Sequence, residues 1–192
     1  FLDPRFVQLC EALEKDQRVV VAYSGGVDSA FLLKVARGVL GERAWGVLGV
    51  SESLDRNELE QARRTAEAIG VPLDVVPTHE YDNPDYRRND GDRCYHCKSE
   101  LFGTIRRYAN DRGIDAVLDG SNADDAGDYR PGMRARDEQG VRSPLMEVGL
   151  DKKSIRRLSR ALGLPTWDKP AAPCLAPRIP HGEAVTDDKL RQ

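Results

Sequence analysis

Short apolar runs alternate with longer amphipathic stretches along this chain. In the amphipathic stretches, apolar residues recur at intervals of three and four, which indicates helices with one buried face. Strands that alternate with helices predict an α/β fold built on a doubly wound, mainly parallel sheet. The predicted strands cover residues 18–23, 44–50, 73–77 and 116–119, and the predicted helices cover 4–15, 29–40, 55–69, 94–112 and 151–162.

A glycine-rich loop follows the first predicted strand directly. Gly25 and Gly26 can adopt positive φ and let backbone amides converge on an anion, while Ser24 and Ser29 add hydroxyl donors. The helix that follows directs its positive end into this loop. The pattern therefore predicts a phosphate cradle, and the alternative is a strand-to-helix turn without a ligand. The predicted ATP-binding residues of the loop are Ser24, Gly25, Gly26, Val27, Asp28 and Ser29.

Asp28 is a carboxylate inside this predicted anion site. Because it would repel a bare phosphate, its presence indicates a divalent ion such as Mg²⁺ between the two. The loop contains no lysine and does not match the Walker A pattern. We therefore expect a metal-nucleotide complex in a cradle of another kind.

The carboxyl ends of parallel strands share one edge of the sheet, where ligands of such folds bind. This places Gly120 and Asn122, which follow the fourth predicted strand, near the loop as further ATP-binding candidates. Ser51 follows the second strand, and Ser51 or Ser53 could instead cap the helix that begins near Asp55.

The stretch between residues 119 and 145 is too polar for a core, and it predicts a long functional loop. Asp125, with Asp124 and Asp128, could supply oxygen ligands to a metal, and Arg130 could hold a phosphate or carboxylate bidentately. The alternative is a solvated acidic turn.

Five prolines stiffen the stretch from residue 165 to residue 180, which carries a single cysteine, Cys174. Arg178 lies four positions later, and a nearby positive charge favours a thiolate. Burial of Cys174 as a small apolar residue is the alternative.

Cys94 and Cys97 form a Cys-x-x-Cys pair at the start of a predicted helix. A spacing of three brings both sulfur atoms to one helical face, which suits a metal. A structural zinc site would need further ligands, for which Cys174, His79, His96 and His181 are available, and a redox pair is a third possibility. Cys10 follows the spacing of Phe6, Val7 and Leu13, and is interpreted as a core residue.

The composition fits a soluble α/β protein. The chain has 192 residues, 32% of them charged, with a net charge of −3, which argues against a broad nucleic-acid surface. We find neither an apolar run of the ~20 residues that span a bilayer nor a signal peptide, so a cytoplasmic protein is expected. Phe1 at one end and a helix-cap pattern at the other suggest that both ends are truncated.

The sequence Ser-Gly-Gly-Val-Asp-Ser at residues 24–29 resembles the PP-loop of the N-type ATP pyrophosphatases, and further motifs resemble one branch of that superfamily. That branch is the LarE-type ATP-dependent sulfur transferases, and the likeness covers nearly all of the chain. The motifs are Asp119-Gly-Ser-Asn-Ala-Asp-Asp, Asp128-Tyr-Arg-Pro-Gly, Ser143-Pro-Leu, Lys153 with Arg156, Thr166-Trp-Asp-Lys-Pro, and Cys174-Leu-Ala-Pro-Arg-Ile-Pro-His-Gly.

The resemblance implies a PP-loop fold in residues 1–164, followed in 165–192 by a proline-rich catalytic segment that leads into a truncated C-terminal domain. It implies that ATP adenylates a carboxylate of pyridinium-3,5-biscarboxylic acid mononucleotide, which is then thiolated for the nickel-pincer nucleotide cofactor. Adenine would contact Val50 and Ser51, and the substrate or its phosphate would contact Arg130, Lys153 and Arg178. The full-length protein is expected to be a homo-oligomer without a nucleic-acid partner.

The family resemblance allows two sources of sulfur. Cys174 can give up its own sulfur and become dehydroalanine, or three cysteines can hold a [4Fe-4S] cluster that carries a transferable sulfide. Cys94, Cys97 and Cys174 favour the cluster. An amide-forming synthetase such as NAD synthetase, a tRNA thiolase and a nucleotide-sensing module are the alternative functions.

Overall fold

The fold is built around a four-stranded parallel sheet in the order β3-β2-β1-β4. The computed structural model describes residues 3–51, 54–126, 131–170, 179–180, 182–186 and 189. The α/β class and the parallel sheet predicted from the sequence are confirmed. The strands are β1 (Val19–Ala22), β2 (Ala44–Val50), β3 (Leu73–Pro77) and β4 (Ala116–Leu118).

Helices cover both faces of the sheet, and those predicted from periodicity lie within two residues of their expected bounds. Short 3₁₀ helices occupy Gly41–Arg43, Glu80–Asp82 and Ala123–Asp125. The α-helices are α1 (Pro4–Glu14), α2 (Val27–Leu40), α3 (Arg56–Ala68), α4 (Pro84–Arg88), α5 (Arg93–Asp111), α6 (Pro131–Glu138), α7 (Pro144–Glu147) and α8 (Lys152–Ala161).

The prediction of one irregular loop between residues 119 and 145 is wrong. Helix α6 lies within it and α7 begins at its end, although its polar composition gives little helical signal. The small side chain of Ala135 is fully buried, and Arg136 of α6 donates a hydrogen bond to Ser143 over 3.0 Å. The burial of Ala135 and this side-chain contact, rather than apolar periodicity, therefore stabilise this region.

Alternate residues of β1 enter two cores. Val19 and Val21 pack with α1, α2, α3 and α8 on one face of the sheet, and Val20 packs with α5 on the other. Cys10 is half-buried against the first core, as predicted, and this burial raises the pKa of its thiol. A parallel sheet covered by helices on both faces is typical of a doubly wound fold.

The chain reverses its direction of winding next to β1. It passes from β1 outward to β2 and β3, then returns to place β4 on the other side of β1. A crevice forms at such a reversal, at the carboxyl ends of the two neighbouring strands. In the described residues, no helix has the length and apolar character needed to cross a bilayer. The domain boundary near residue 164 and the homo-oligomer stay predictions.

Candidate active site

Two serines close the loop between β1 and α2. The Ser29 hydroxyl accepts a hydrogen bond from the Ser24 amide over 3.1 Å, lies 3.1 Å from the Ser24 hydroxyl, and donates to the Gly26 carbonyl over 3.3 Å. Gly25 has φ +73°, and a Cβ there would lie 2.7 Å from Cβ of Ala62. No side chain caps the start of α2 at Gly26, so its amides remain directed into the loop.

The turn after β4 packs against this loop. A Cβ on Gly120 would lie 2.8 Å from the backbone nitrogen of Ser29, so only glycine allows this approach. Asp119 holds the turn, because its buried carboxylate accepts from the Ser121 hydroxyl over 2.7 Å and from the Ser143 hydroxyl over 2.6 Å. The two glycine turns predicted to share a ligand therefore lie together.

A cavity of about 520 Å³ opens between these turns and α5. One wall is polar and contains most of the predicted phosphate and metal residues. Another part of the lining is apolar. The polar wall includes Ser24, Gly26, Asp28, Ser29, Gly120, Asp125 and Lys152, and the apolar wall includes Val27, Val47, Leu48, Leu54, Leu101, Phe102 and Ile105.

Asp28 and Lys152 form an ion pair inside the cavity. The Lys152 ammonium contacts one carboxylate oxygen of Asp28, and the second oxygen is buried without a hydrogen bond of good geometry in the described part of the chain. Burial raises the pKa of Asp28, and the negative charge of Asp125 adds to this, against the lowering effect of Lys152 and of the nearby Asn122 side chain. The site therefore concentrates negative charge that a cation must offset.

Lys152 is held in place by the turn that carries Asp125. Its backbone amide donates to Asp124 over 2.9 Å, and Asn122 forms a capping box with Asp125 in the same turn. Lys153, the residue predicted to bind the substrate, is exposed and lies outside the cavity lining of the described residues. Sequence reasoning missed Lys152 because the choice between two adjacent lysines depends on the rotational phase of α8.

Lys169 was also missed, although it belongs to one of the motifs that carry the resemblance. Its ammonium lies 2.6 Å from a carboxylate oxygen of Glu58 and 3.4 Å from the Gly25 carbonyl, and the side chain is mostly buried. The Arg156 guanidinium donates to the Lys169 carbonyl over 2.7 Å. These contacts fasten residue 169 to the phosphate loop.

Cys97 forms part of the cavity wall beside Lys98. It is half-buried and packs against a small apolar cluster of Tyr86, Ile179 and Val185. Cys94 is exposed on the first turn of the same helix, α5, three residues earlier. The structure thus brings one cysteine of the predicted pair to the phosphate cavity.

The other predicted residues have varied positions. Asn122 is buried and caps its own turn, while Ser51 donates to buried Glu80 over 2.5 Å. Asn122, Ser51 and Val50 do not belong to the cavity lining. Strand β2 contributes Val47, Leu48 and Gly49 to it instead. Gly25 is also absent from the lining and lies against Ala62. The roles of these residues stay predictions, and Cys174, Arg130, Arg178 and Asp128 lie outside the described residues.

The described residues contain no group of three or more histidine, cysteine, aspartate or glutamate side chains placed to hold a metal ion. His79 pairs weakly with Asp82 over 3.8 Å, and His96 contacts Asp92 over 3.2 Å. His181 and Cys174 are outside the described residues. A magnesium site would therefore need oxygen atoms from a nucleotide, and a three-cysteine site would need Cys174.

Known proteins resemble this chain along its whole length, although no protein-family model matches it. An uncharacterised protein of Synechocystis is 46% identical over 191 residues, which is 100% of this chain and 71% of that protein. The pyridinium-3,5-bisthiocarboxylic acid mononucleotide synthase of Lactiplantibacillus plantarum is 36% identical over 185 residues, 96% of this chain and 67% of that enzyme.

Among solved structures, an NMN synthetase from Francisella tularensis superposes with a TM-score of 0.70 at 17% identity. The superposition covers 90% of this chain and 76% of that one. At this identity the likeness concerns the fold alone.

Proposed function

This chain belongs to the LarE-type family of PP-loop ATP-dependent sulfur transferases, and we propose that its substrate is pyridinium-3,5-biscarboxylic acid mononucleotide. In this proposal the enzyme adenylates a carboxylate of the substrate and converts it to a thiocarboxylate. The observation that carries the proposal is the position of Cys97, which shares one cavity with Asp28 and Ser29. A phosphate cradle and a thiol in one cavity suit a reaction that first activates a carboxylate and then delivers sulfur.

The two walls of the cavity suit the two ends of ATP. The amides at the start of α2 and the hydroxyls of Ser24 and Ser29 are donors for the phosphates. The apolar wall around Val47, Leu48 and Phe102 suits the adenine ring. In this proposal the α-phosphate lies between these two groups of residues, where a substrate carboxylate approaches it.

Asp28 and Asp125 are fitting ligands for Mg²⁺. Mg²⁺ usually binds one or two carboxylates together with substrate phosphates, and a buried oxygen of Asp28 lacks a hydrogen bond of good geometry among the described residues. When bound, the ion would supply positive charge to the phosphates of ATP. In the absence of the ion, the positive charge of the Lys152 ammonium offsets the negative charge of Asp28.

Adenylation requires the residues of the polar wall to stabilise the leaving pyrophosphate. A substrate carboxylate oxygen attacks the α-phosphorus, the bond between the α- and β-phosphates breaks, and pyrophosphate leaves with the bonding electron pair. Lys152 and the amides of α2 are fixed beside the site where this negative charge develops. Such preorganised charge is commonly the largest contribution to catalysis.

Two sources of sulfur are chemically compatible with this reaction. Cys94, Cys97 and Cys174 are the residues that would hold a [4Fe-4S] cluster, which when bound would supply a transferable sulfide. Alternatively, the Cys174 thiolate displaces AMP from the acyl-adenylate. Loss of the Cys174 α-proton and cleavage of its Cβ–Sγ bond then leave dehydroalanine and the thiocarboxylate. Cys94 and Cys97 have a role in the first route only, and we propose that route.

The test measures multiple turnover by the C94S variant of the natural full-length protein. Mass spectrometry quantifies the thiocarboxylate, and C10S is the matched control. Cys10 lies in α1, away from the cavity. We expect C94S to lose turnover and iron while retaining ATP binding, and C10S to retain all three. Equal turnover in C94S and the parent would rule out the three-cysteine route. Absence of any thiocarboxylate from the parent, with ammonia-dependent amide formation instead, would overturn the proposed function itself.

A further inference from the structure

Asn89 is a buried side chain that joins two parts of the molecule. It follows α4 in a left-handed conformation, with φ +59°, and is fully buried. Its side-chain nitrogen donates to the carbonyls of Pro180 over 2.7 Å and Glu183 over 3.0 Å, with a longer contact of 3.3 Å to Ile179. Its side-chain oxygen accepts from Arg93, the first residue of α5.

Backbone contacts strengthen the same connection. The amide of Gly182 donates to the Asn89 carbonyl over 3.2 Å, and the amide of Val185 donates to the Arg87 carbonyl over 2.9 Å. Ile179 and Val185 also pack against Tyr86 in the apolar cluster that Cys97 contacts. We call Asn89, Arg93 and the carbonyls of residues 179, 180 and 183 the Asn89 clasp.

The Asn89 side chain makes more hydrogen bonds than are needed to end a short helix. A glycine would adopt the left-handed conformation after α4 more easily than asparagine. Burying a primary amide is unfavourable unless its donors and acceptor find partners, and here both ends of the amide are used. The amide is therefore explained by the segment it holds rather than by the helix it follows.

We infer that Asn89 is a positioning residue for the delivery of sulfur, an inference that rests on the proposed function. The clasp holds Ile179 in the apolar cluster that Cys97 contacts. Arg93, which donates to Asn89, directly precedes Cys94 on the first turn of α5. Asn89 thus holds residues 179 and 180 against the part of the fold that contains Cys97.

The experiment compares N89D and N89G with N83D as the matched control in the natural full-length protein. N89D replaces the donor with an oxygen that faces three carbonyl groups, and N89G keeps the backbone conformation without the amide. Asn83 caps the other end of α4 through Asp85, and an aspartate performs the same capping. Hydrogen exchange at Gly182 and Val185 measures the clasp, and pyrophosphate and thiocarboxylate formed in one turnover measure the two chemical steps.

We expect both Asn89 variants to exchange faster at Gly182 and Val185, to form pyrophosphate like the parent, and to lose about 10²-fold in thiocarboxylate formation. N83D should match the parent in all three. Unchanged exchange, an equal fall of both products, or full thiocarboxylate formation with rapid exchange would each overturn the inference. A parent that releases pyrophosphate but forms no thiocarboxylate would instead overturn the proposed function, while the exchange data would still test the clasp.

Discussion

The phosphate end and the cysteine end of the cavity are built in different ways. At the phosphate end, Ser24 and Ser29 close the loop itself across five residues of chain. Gly120, Lys152 and Lys169 then pack against the closed loop from distant positions. At the cysteine end, the Asn89 clasp joins residues about ninety positions apart. A local loop forms with little loss of chain entropy, whereas distant segments meet only when the whole domain has folded. We therefore expect damage at the cysteine end to spare ATP binding, while damage at the phosphate end abolishes every later step.

The most damaging change to the phosphate end is G25V. A valine at this position would have to adopt φ +73°, and its side chain would collide with Ala62, because a Cβ on residue 25 already lies 2.7 Å from Cβ of Ala62. We expect loss of measurable ATP binding by calorimetry and a lower melting temperature. The control is G38A, in an exposed position of α2 with no atom near the added methyl group, which should stabilise the protein by about 0.5–1 kcal/mol. ATP binding by a folded G25V protein would contradict the predicted cradle.

A second change separates the two lysines at the start of α8. Because Lys152 contacts Asp28 and Lys153 is exposed, K152Q should slow pyrophosphate formation by about 10²-fold, and K153Q by much less. Single-turnover assays with both variants measure the difference. An equal or larger loss in K153Q would favour the substrate role predicted for Lys153 from sequence.

The smallest effect concerns alkaline pH. Burial raises the pKa of Tyr23, which lies at the phosphate end, to about 12, and its hydroxyl donates to the Ala62 carbonyl over 3.0 Å. The folded state therefore keeps the proton between the ordinary pKa of 10.0 and 12, while the unfolded state loses it, so stability falls as pH rises through this range.

Chemical denaturation at pH 9 and pH 11 should show a shallower fall for Y23F than for the parent. Tyr108, whose pKa burial also raises to about 12, remains in both proteins and accounts for part of the slope. Identical slopes in Y23F and the parent would contradict the assignment to Tyr23.

The same contrast explains what could be predicted from sequence. The phosphate loop is a continuous motif, so its glycines and serines are identifiable from the sequence alone. The choice of Lys152 over Lys153 requires the phase of a helix against a distant turn, and the role of Asn89 requires knowing that residues 179–183 return to α4. Helix α6 was missed because its residues are mostly polar and its stability comes from contacts such as that of Arg136 with Ser143.

Residues 169 and 179 are both fastened, the first to Glu58 and Gly25 beside the phosphates and the second to Asn89 beside Cys97. Cys174 lies between these two anchors along the chain. A group tethered at both ends acts at an effective concentration set by the length of its tether, of order millimolar for short flexible connections. A small thiol in solution would have to reach comparable concentrations to replace Cys174, so under the proposed function the two anchors would make its participation intramolecular.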